Sequence, residues 1–236
     1  PDYDPDIDDI ETAYSYTFYS GTAGVASRQV QLPTVPESQN GTGQSIYRRE
    51  LYDLYGNGTA IQDERGYVTT FLHDLPTGSV TRIIQDDDAP SGSGWTVPSG
   101  TRLKLTTNMA VDDEGRRTLT QGPQHEVDLG PGIGAKQVRS VIYNVYRDHC
   151  GTTYDETWTA QGYYRIDDGK YYLVNPVSIS RSARDGLSVD TITAVRGLPS
   201  PSYCPSPTNS PKVTAATSDE SGIGSATLCG VKADGT

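Results

Sequence analysis

The stretch Glu50–Asp74, ELYDLYGNGTAIQDERGYVTTFLHD, decides the fold. It carries one turn pattern twice, Asp53-x-x-Gly56 and then Asp63-x-x-Gly66. Asp closes such a turn by accepting backbone N–H bonds, and Gly supplies the position with φ above zero. Short runs of β-forming residues flank each turn, and another Asp, Asp74, follows the second run. The spacing predicts hairpins laid edge to edge.

The same rhythm extends outward. In AYSYTFYS, Tyr14, Tyr16 and Phe18 alternate with Ser15 and Thr17, which predicts a half-buried strand. VASRQVQL, after Gly21 and Gly24, is its expected hairpin partner, closed by Pro33 and Pro36. In YVTTFLHD, a further expected strand, Tyr67, Thr69 and Phe71 share one face. SVTRIIQD and RLKLTTNMAVD read as strands. Asp112-Asp113-Glu114-Gly115 then repeats the turn, with RRTLT as its exit strand. GPQHEVDLGPGIGAKQ reads as a long flexible loop. VRSVIYNVYRD is apolar on both faces and is expected at the centre of a sheet. ETWTAQGYYRIDDGKYYLVNPVSISRS reads as a hairpin turning at Asp167-Asp168-Gly169, and LSVDTITAV as a further strand.

The fold class is therefore all-β: an antiparallel β-hairpin meander with long irregular loops and little helix. Residues 1–198 are expected to form the β domain, preceded by an acidic solvated arm over 1–12. Residues 199–236 are Pro-, Ser- and Thr-rich and read as a linker or wrap, with SGIGSATLCG as a weak terminal strand.

Composition narrows the function classes. Of 236 residues, 34% are hydrophobic, two are Phe and sixteen are Tyr, so hydroxyl-bearing rings supply much of the large apolar surface. The formal charge of -11 opposes binding to nucleic acid or to an anionic membrane surface. No run approaches the length of a membrane span. Cys150, Cys204 and Cys229 form no Cys-x-x-Cys pair, which argues against a zinc or redox motif. An exported chain is expected to join two of them, and the pairing is left open. The sequence fits a processed piece of a longer precursor.

Tyr52, Asp53, Gly56, Asn57 and Thr59, then Asp63, Gly66, Thr69, Phe71 and Asp74, resemble the YD-repeat, or RHS-repeat, family in its degenerate form. The resemblance covers residues 50–85, with an echo at 110–120 through Asp112 and Gly115. Gly58 stands where the family has Leu, and Phe71 where it has Tyr. The resemblance implies a β-sheet strip that winds into a shell enclosing a toxic C-terminal domain, or a cell-surface adhesion module. No segment matches the aspartate-dependent self-cleavage of some members.

Other chemistries leave weaker marks. Asp86-Asp87-Asp88 and Asp112-Asp113-Glu114 form compact anionic loops that would suit calcium, though not with EF-hand spacing; the alternative is a bare solvated surface loop. Asn40-Gly41-Thr42 and Asn57-Gly58-Thr59 are formal glycosylation sequons. Trp95 and Trp158, with Tyr163, Tyr164, Tyr171 and Tyr172, are candidate glycan platforms; the alternative is that these rings fill the core. His73, His125 and His149 form no metalloprotease motif, and the adjacency of His149 to Cys150 does not make a dyad. Lys136 ends a Gly-rich run without the Gly-Lys-Ser/Thr of a phosphate loop. The reading reached is a non-enzymatic structural module, extracellular or at the cell surface, whose partners are other chains, copies of itself or segments of its precursor. A glycan-binding adhesin is the second reading and a hydrolase the third.

Overall fold

Three corners of the chain are built the same way. The Asp53 N–H donates to the Asn57 carbonyl (2.9 Å), and the Gly56 N–H donates back to the Asp53 carbonyl (3.1 Å). Asp63 and Gly66 repeat the arrangement with Tyr67, and Asp112 and Gly115 with Arg116. The glycines sit at φ of +87°, +86° and +76°, a region where a side chain would be strained. This is the three-residue hairpin loop, a turn completed by a left-handed glycine. It displaces the register beside Tyr52 and Val111. The Asp74 corner is one residue longer, with Asp74 N–H bonded to the Ser79 carbonyl (2.8 Å).

The computed structural model describes residues 11–150, 154–183, 186, 189–196 and 213–214. Among the described residues the chain is all-β, an antiparallel meander in which, within each of its two units, neighbouring strands pair in sequence order. It divides into two units, Pro1–Thr106 and Thr107–Thr236. In the first run β1 (Ala13–Phe18), β2 (Val25–Leu32), β3 (Ile46–Tyr52), β4 (Gly58–Gln62), β5 (Val68–His73) and β6 (Val80–Asp87). β7 (Leu105–Val111) spans the division. The second unit continues with β8 (Arg117–Asp128), β9 (Ala135–Cys150), β10 (Tyr154–Arg165), β11 (Lys170–Ala183), β12 (Val189–Arg196) and β13 (Val213–Thr214). Among the described residues the one helical element is a 3-10 turn at Glu37–Gln39. Residues 1–10 of the expected acidic arm, the linker or wrap over 199–236 apart from Val213–Thr214, and the expected terminal strand in SGIGSATLCG lie outside the described residues.

The first unit packs around Ala60, Gln62 and Val68. Gln62 is buried but fully bonded: its Nε2 donates to the Gly66 and Thr96 carbonyls, and its Oε1 accepts from Arg49. The second unit buries Trp158, Ala160, Val177, Ile179 and Ile192, with Tyr143, Val145 and Leu173 packed against them. Tyrosines pair across the β10–β11 hairpin. Tyr163 stacks on Tyr172 at 5.1 Å, and Tyr164 meets Tyr171 at 4.7 Å. Such ring pairs add to the stability of a two-strand contact.

Three local expectations change. β1 forms as a strand, but Tyr14, Tyr16 and Phe18 are exposed rather than half-buried. In β5 the buried residue is Val68, while Tyr67 precedes the strand and is exposed. The expected loop over 122–137 is mostly strand. β8 continues to Asp128, and the actual turn is short, closed by the Leu129 N–H on the Gly134 carbonyl (3.1 Å). The Gly and Pro residues within it do different jobs: Gly122 and Pro123 make an irregularity inside β8, and Gly130, Gly132 and Gly134 turn the chain.

That irregularity is one of a row. Register breaks fall at Gln121/Gln124 in β8 and at Ala160/Gln161 in β10, where Asn175 and Pro176 of β11 are skipped. Val141 of β9 pairs with Gln121 on one side and Gly162 on the other, linking the breaks across neighbouring strands. A side chain at Gly162 would overlap the Tyr172 carbonyl oxygen. The long strands of this unit thus share a transverse crease of small and proline residues, the devices that bend sheets.

Candidate functional site

The corner residues spend their polar groups on the chain itself. Asp53 Oδ1 accepts the Tyr55 and Asn57 amides, and Asp63 Oδ1 accepts those of Arg65 and Tyr67, all within 3.0 Å. Asp112 Oδ1 takes the Arg116 amide (2.7 Å), while its Oδ2 takes the Arg116 guanidinium (2.7 Å). The Asn57 side chain holds Asp53 below the usual carboxylate range, and the bonded amides add to this. For Asp112, burial pushes the other way and is outweighed by Arg116. Asp74 is bonded by the Thr77 hydroxyl (2.7 Å). Phe71 lies half-buried opposite Ile83. These residues build the corners.

Asn57 is held the same way, its Nδ2 donating to Asp53 Oδ2 at 3.0 Å, so the nitrogen a glycan would need is engaged. The left-handed position at this corner is Gly56, not Asn57. Asn40 does take the left-handed conformation, at φ 62°, in an exposed loop.

Asp86, Asp87 and Asp88 diverge. Asp86 bonds the Arg102 guanidinium (2.9 Å) and the Leu103 amide (2.7 Å); the amide first, and Arg102 with it, keeps its carboxyl below the usual range. Asp87 accepts from the Thr70 hydroxyl (2.6 Å), and Asp88 pairs with Lys104 (2.5 Å). The like charges at this end of β6 are answered by the chain's own Arg102 and Lys104. Among the described residues no three His, Cys, Asp or Glu side chains converge as a metal site.

Trp158 is 2% exposed, and its Nε1 donates to Glu156 Oε2 at 2.9 Å, so it offers no face to a sugar. Trp95 is half-buried in the loop between β6 and β7. The side chains of His149 and Cys150, and all of Cys204 and Cys229, lie outside the described residues, and with them the expected disulfide. His125 Nδ1 contacts the Pro123 carbonyl at 3.1 Å. Lys136 is part of β9 and pairs with Asp167 at 2.9 Å. A shallow depression at the β10 crease is lined by Thr159, Gln161, Val174, Pro176, Val177, Ser178 and Thr193, none of them ionisable.

Sequence reasoning missed a polar arrangement that occurs once in each unit. Glu50 is 7% exposed; its Oε1 accepts from Arg28, directly opposite on β2 (2.7 Å), and its Oε2 accepts the Tyr52 hydroxyl. Glu156, also 7% exposed, accepts from Arg181, directly opposite on β11 (2.7 and 3.0 Å), and from the Trp158 indole. Each pattern is a buried Glu, an Arg facing it across the ladder and an aromatic donor two residues on. A second Arg stands nearby in both, Arg48 at 3.5 Å and Arg147 at 3.7 Å. Burial raises the Glu50 carboxyl, yet the bonds from Arg28 and Tyr52 overcome it and leave Glu50 below its ordinary value. The visible signal is Glu-x-Tyr and Glu-x-Trp within strands. The Arg partners, 22 and 25 residues away, become visible only with the register.

What remains unspent is β1. Tyr14, Tyr16 and Phe18 are 60%, 48% and 58% exposed. Among the described residues β1 pairs with β2 alone. No helix among the described residues is long and apolar enough to cross a membrane. No family model matches the chain, and no curated protein or solved structure matches it.

Proposed function

We propose that this chain is a non-enzymatic structural module of an extracellular or cell-surface assembly. Its partners are other protein chains, copies of itself or other segments of a precursor, joined by β-hairpin stacking of the YD-repeat kind. One observation carries the reading. The corner carboxylates are bound to turn amides, Glu50 and Glu156 to Arg across the ladder, and Asp86 and Asp88 to Arg102 and Lys104, while an aromatic strand is left exposed. Acid–base catalysis needs a group placed to reach a substrate proton. Here Asp53, Asp63 and Asp112 are instead aimed at the backbone they cap. The aromatic and charge-free character of β1 suits a surface that other strands cover. The test is a sedimentation series on the full chain over rising concentration, run beside a panel of glycoside, ester and peptide substrates. Association that grows with concentration, without turnover, is expected. A particle monomeric at every concentration that turns over a substrate would replace this reading with the hydrolase one.

A further inference from the structure

We infer that β1 of one copy pairs antiparallel with β1 of a second copy, centred on Tyr16 of both. This rests on the assembly reading above and names its surface and its occupant. The sequence of β1, AYSYTF, is self-complementary in that one register. With Tyr16 facing Tyr16, Tyr14 of each copy lies opposite Phe18 of the other, and Ser15 lies opposite Thr17. Every aromatic residue then meets an aromatic residue on one face, and the Ser15 and Thr17 hydroxyls meet on the other. The chain already uses this pairing within itself, where Tyr163 faces Tyr172 and Tyr164 faces Tyr171 across β10 and β11.

Charge selects the same occupant and the same direction. Ala13–Phe18 holds no charged residue and no proline, the usual protections of an edge strand. In a chain of formal charge -11, it is a place where two copies meet without burying like charges. Glu11, and the Asp residues before it in sequence, precede β1 directly. A parallel pair would set these acidic residues side by side, whereas an antiparallel pair sends them to opposite ends. An antiparallel pair about one residue is also a two-fold contact, which closes on itself.

The register makes Tyr16 its own partner, and that provides the test. Three full-length samples are compared by sedimentation equilibrium: wild type, Tyr16→Lys and Tyr16→Glu, with far-UV circular dichroism confirming the strands in each. Either substitution alone sets like charge against like charge and removes a ring pair. The concentration for half-association is expected to rise about tenfold or more. An equimolar mixture of the two sets Lys opposite Glu and is expected to regain the dimer. Folded single variants that associate as wild type does would overturn the β1 contact while leaving the assembly reading in place. Folded variants whose mixture stays monomeric, or wild type that grows past a dimer, would overturn the two-fold register. Wild type that is monomeric throughout would remove both readings.

Discussion

At the residue scale, the cost of polar burial governs the structure. A carboxylate removed from water is expensive unless paired and bonded, and Glu50 and Glu156 meet both conditions through an Arg opposite and an aromatic donor on their own strand. Such a pair stabilises little against an apolar substitute, but losing one member leaves a buried charge behind. Arg181→Met is therefore expected to cost about 3 kcal/mol, the low end for a broken buried pair because Arg147 and Trp158 still face Glu156. The double variant Glu156→Met/Arg181→Met is expected to recover most of that loss. Urea unfolding of the three proteins checks it; a double variant as unstable as the single one would show that the pair is not the source. Trp158 belongs to this argument too. An indole in a strand can be a ligand platform or core, and the burial of Trp158 with its bond to Glu156 decides for the core.

At the element scale, the corners and the crease divide the work. Corners hold strands side by side, and the crease collects the register breaks of β8, β10 and β11 around Val141 and Gly162. Gly162→Ala is expected to destabilise by about 1–3 kcal/mol, because the added methyl meets the Tyr172 carbonyl, a backbone atom that cannot swing aside. Gly58→Ala is the control: nothing lies within 4 Å of the added carbon, and the change is expected to be neutral or slightly stabilising. Thermal unfolding of the two variants gives the comparison, and equal effects would remove the crease from the account. Corners were legible in the sequence because their chemistry is local: Asp53 and Gly56 bond each other within one turn. The crease was not, since Gly122 and Pro123 look like loop punctuation until β9 pairs on both sides of them. Alternation in β1 groups Tyr14, Tyr16 and Phe18, but a shared face says nothing about whether that face is covered, and all six residues of the strand are exposed. The Glu50 pair stayed hidden because Arg28 comes from another strand, and the register that joins them is a property of the sheet.

At the scale of the whole molecule, the question is how a chain of charge -11 associates with its own kind. Long-range repulsion opposes contact, and the surface proposed to overcome it is uncharged. Contacts made by surface salt bridges weaken as salt screens them, whereas an apolar contact between two like-charged chains strengthens. The most direct measurement is sedimentation equilibrium of the intact chain at rising sodium chloride. A dimer whose association tightens from low to physiological salt is expected, and a dimer that dissociates over that range would exclude the uncharged β1 contact.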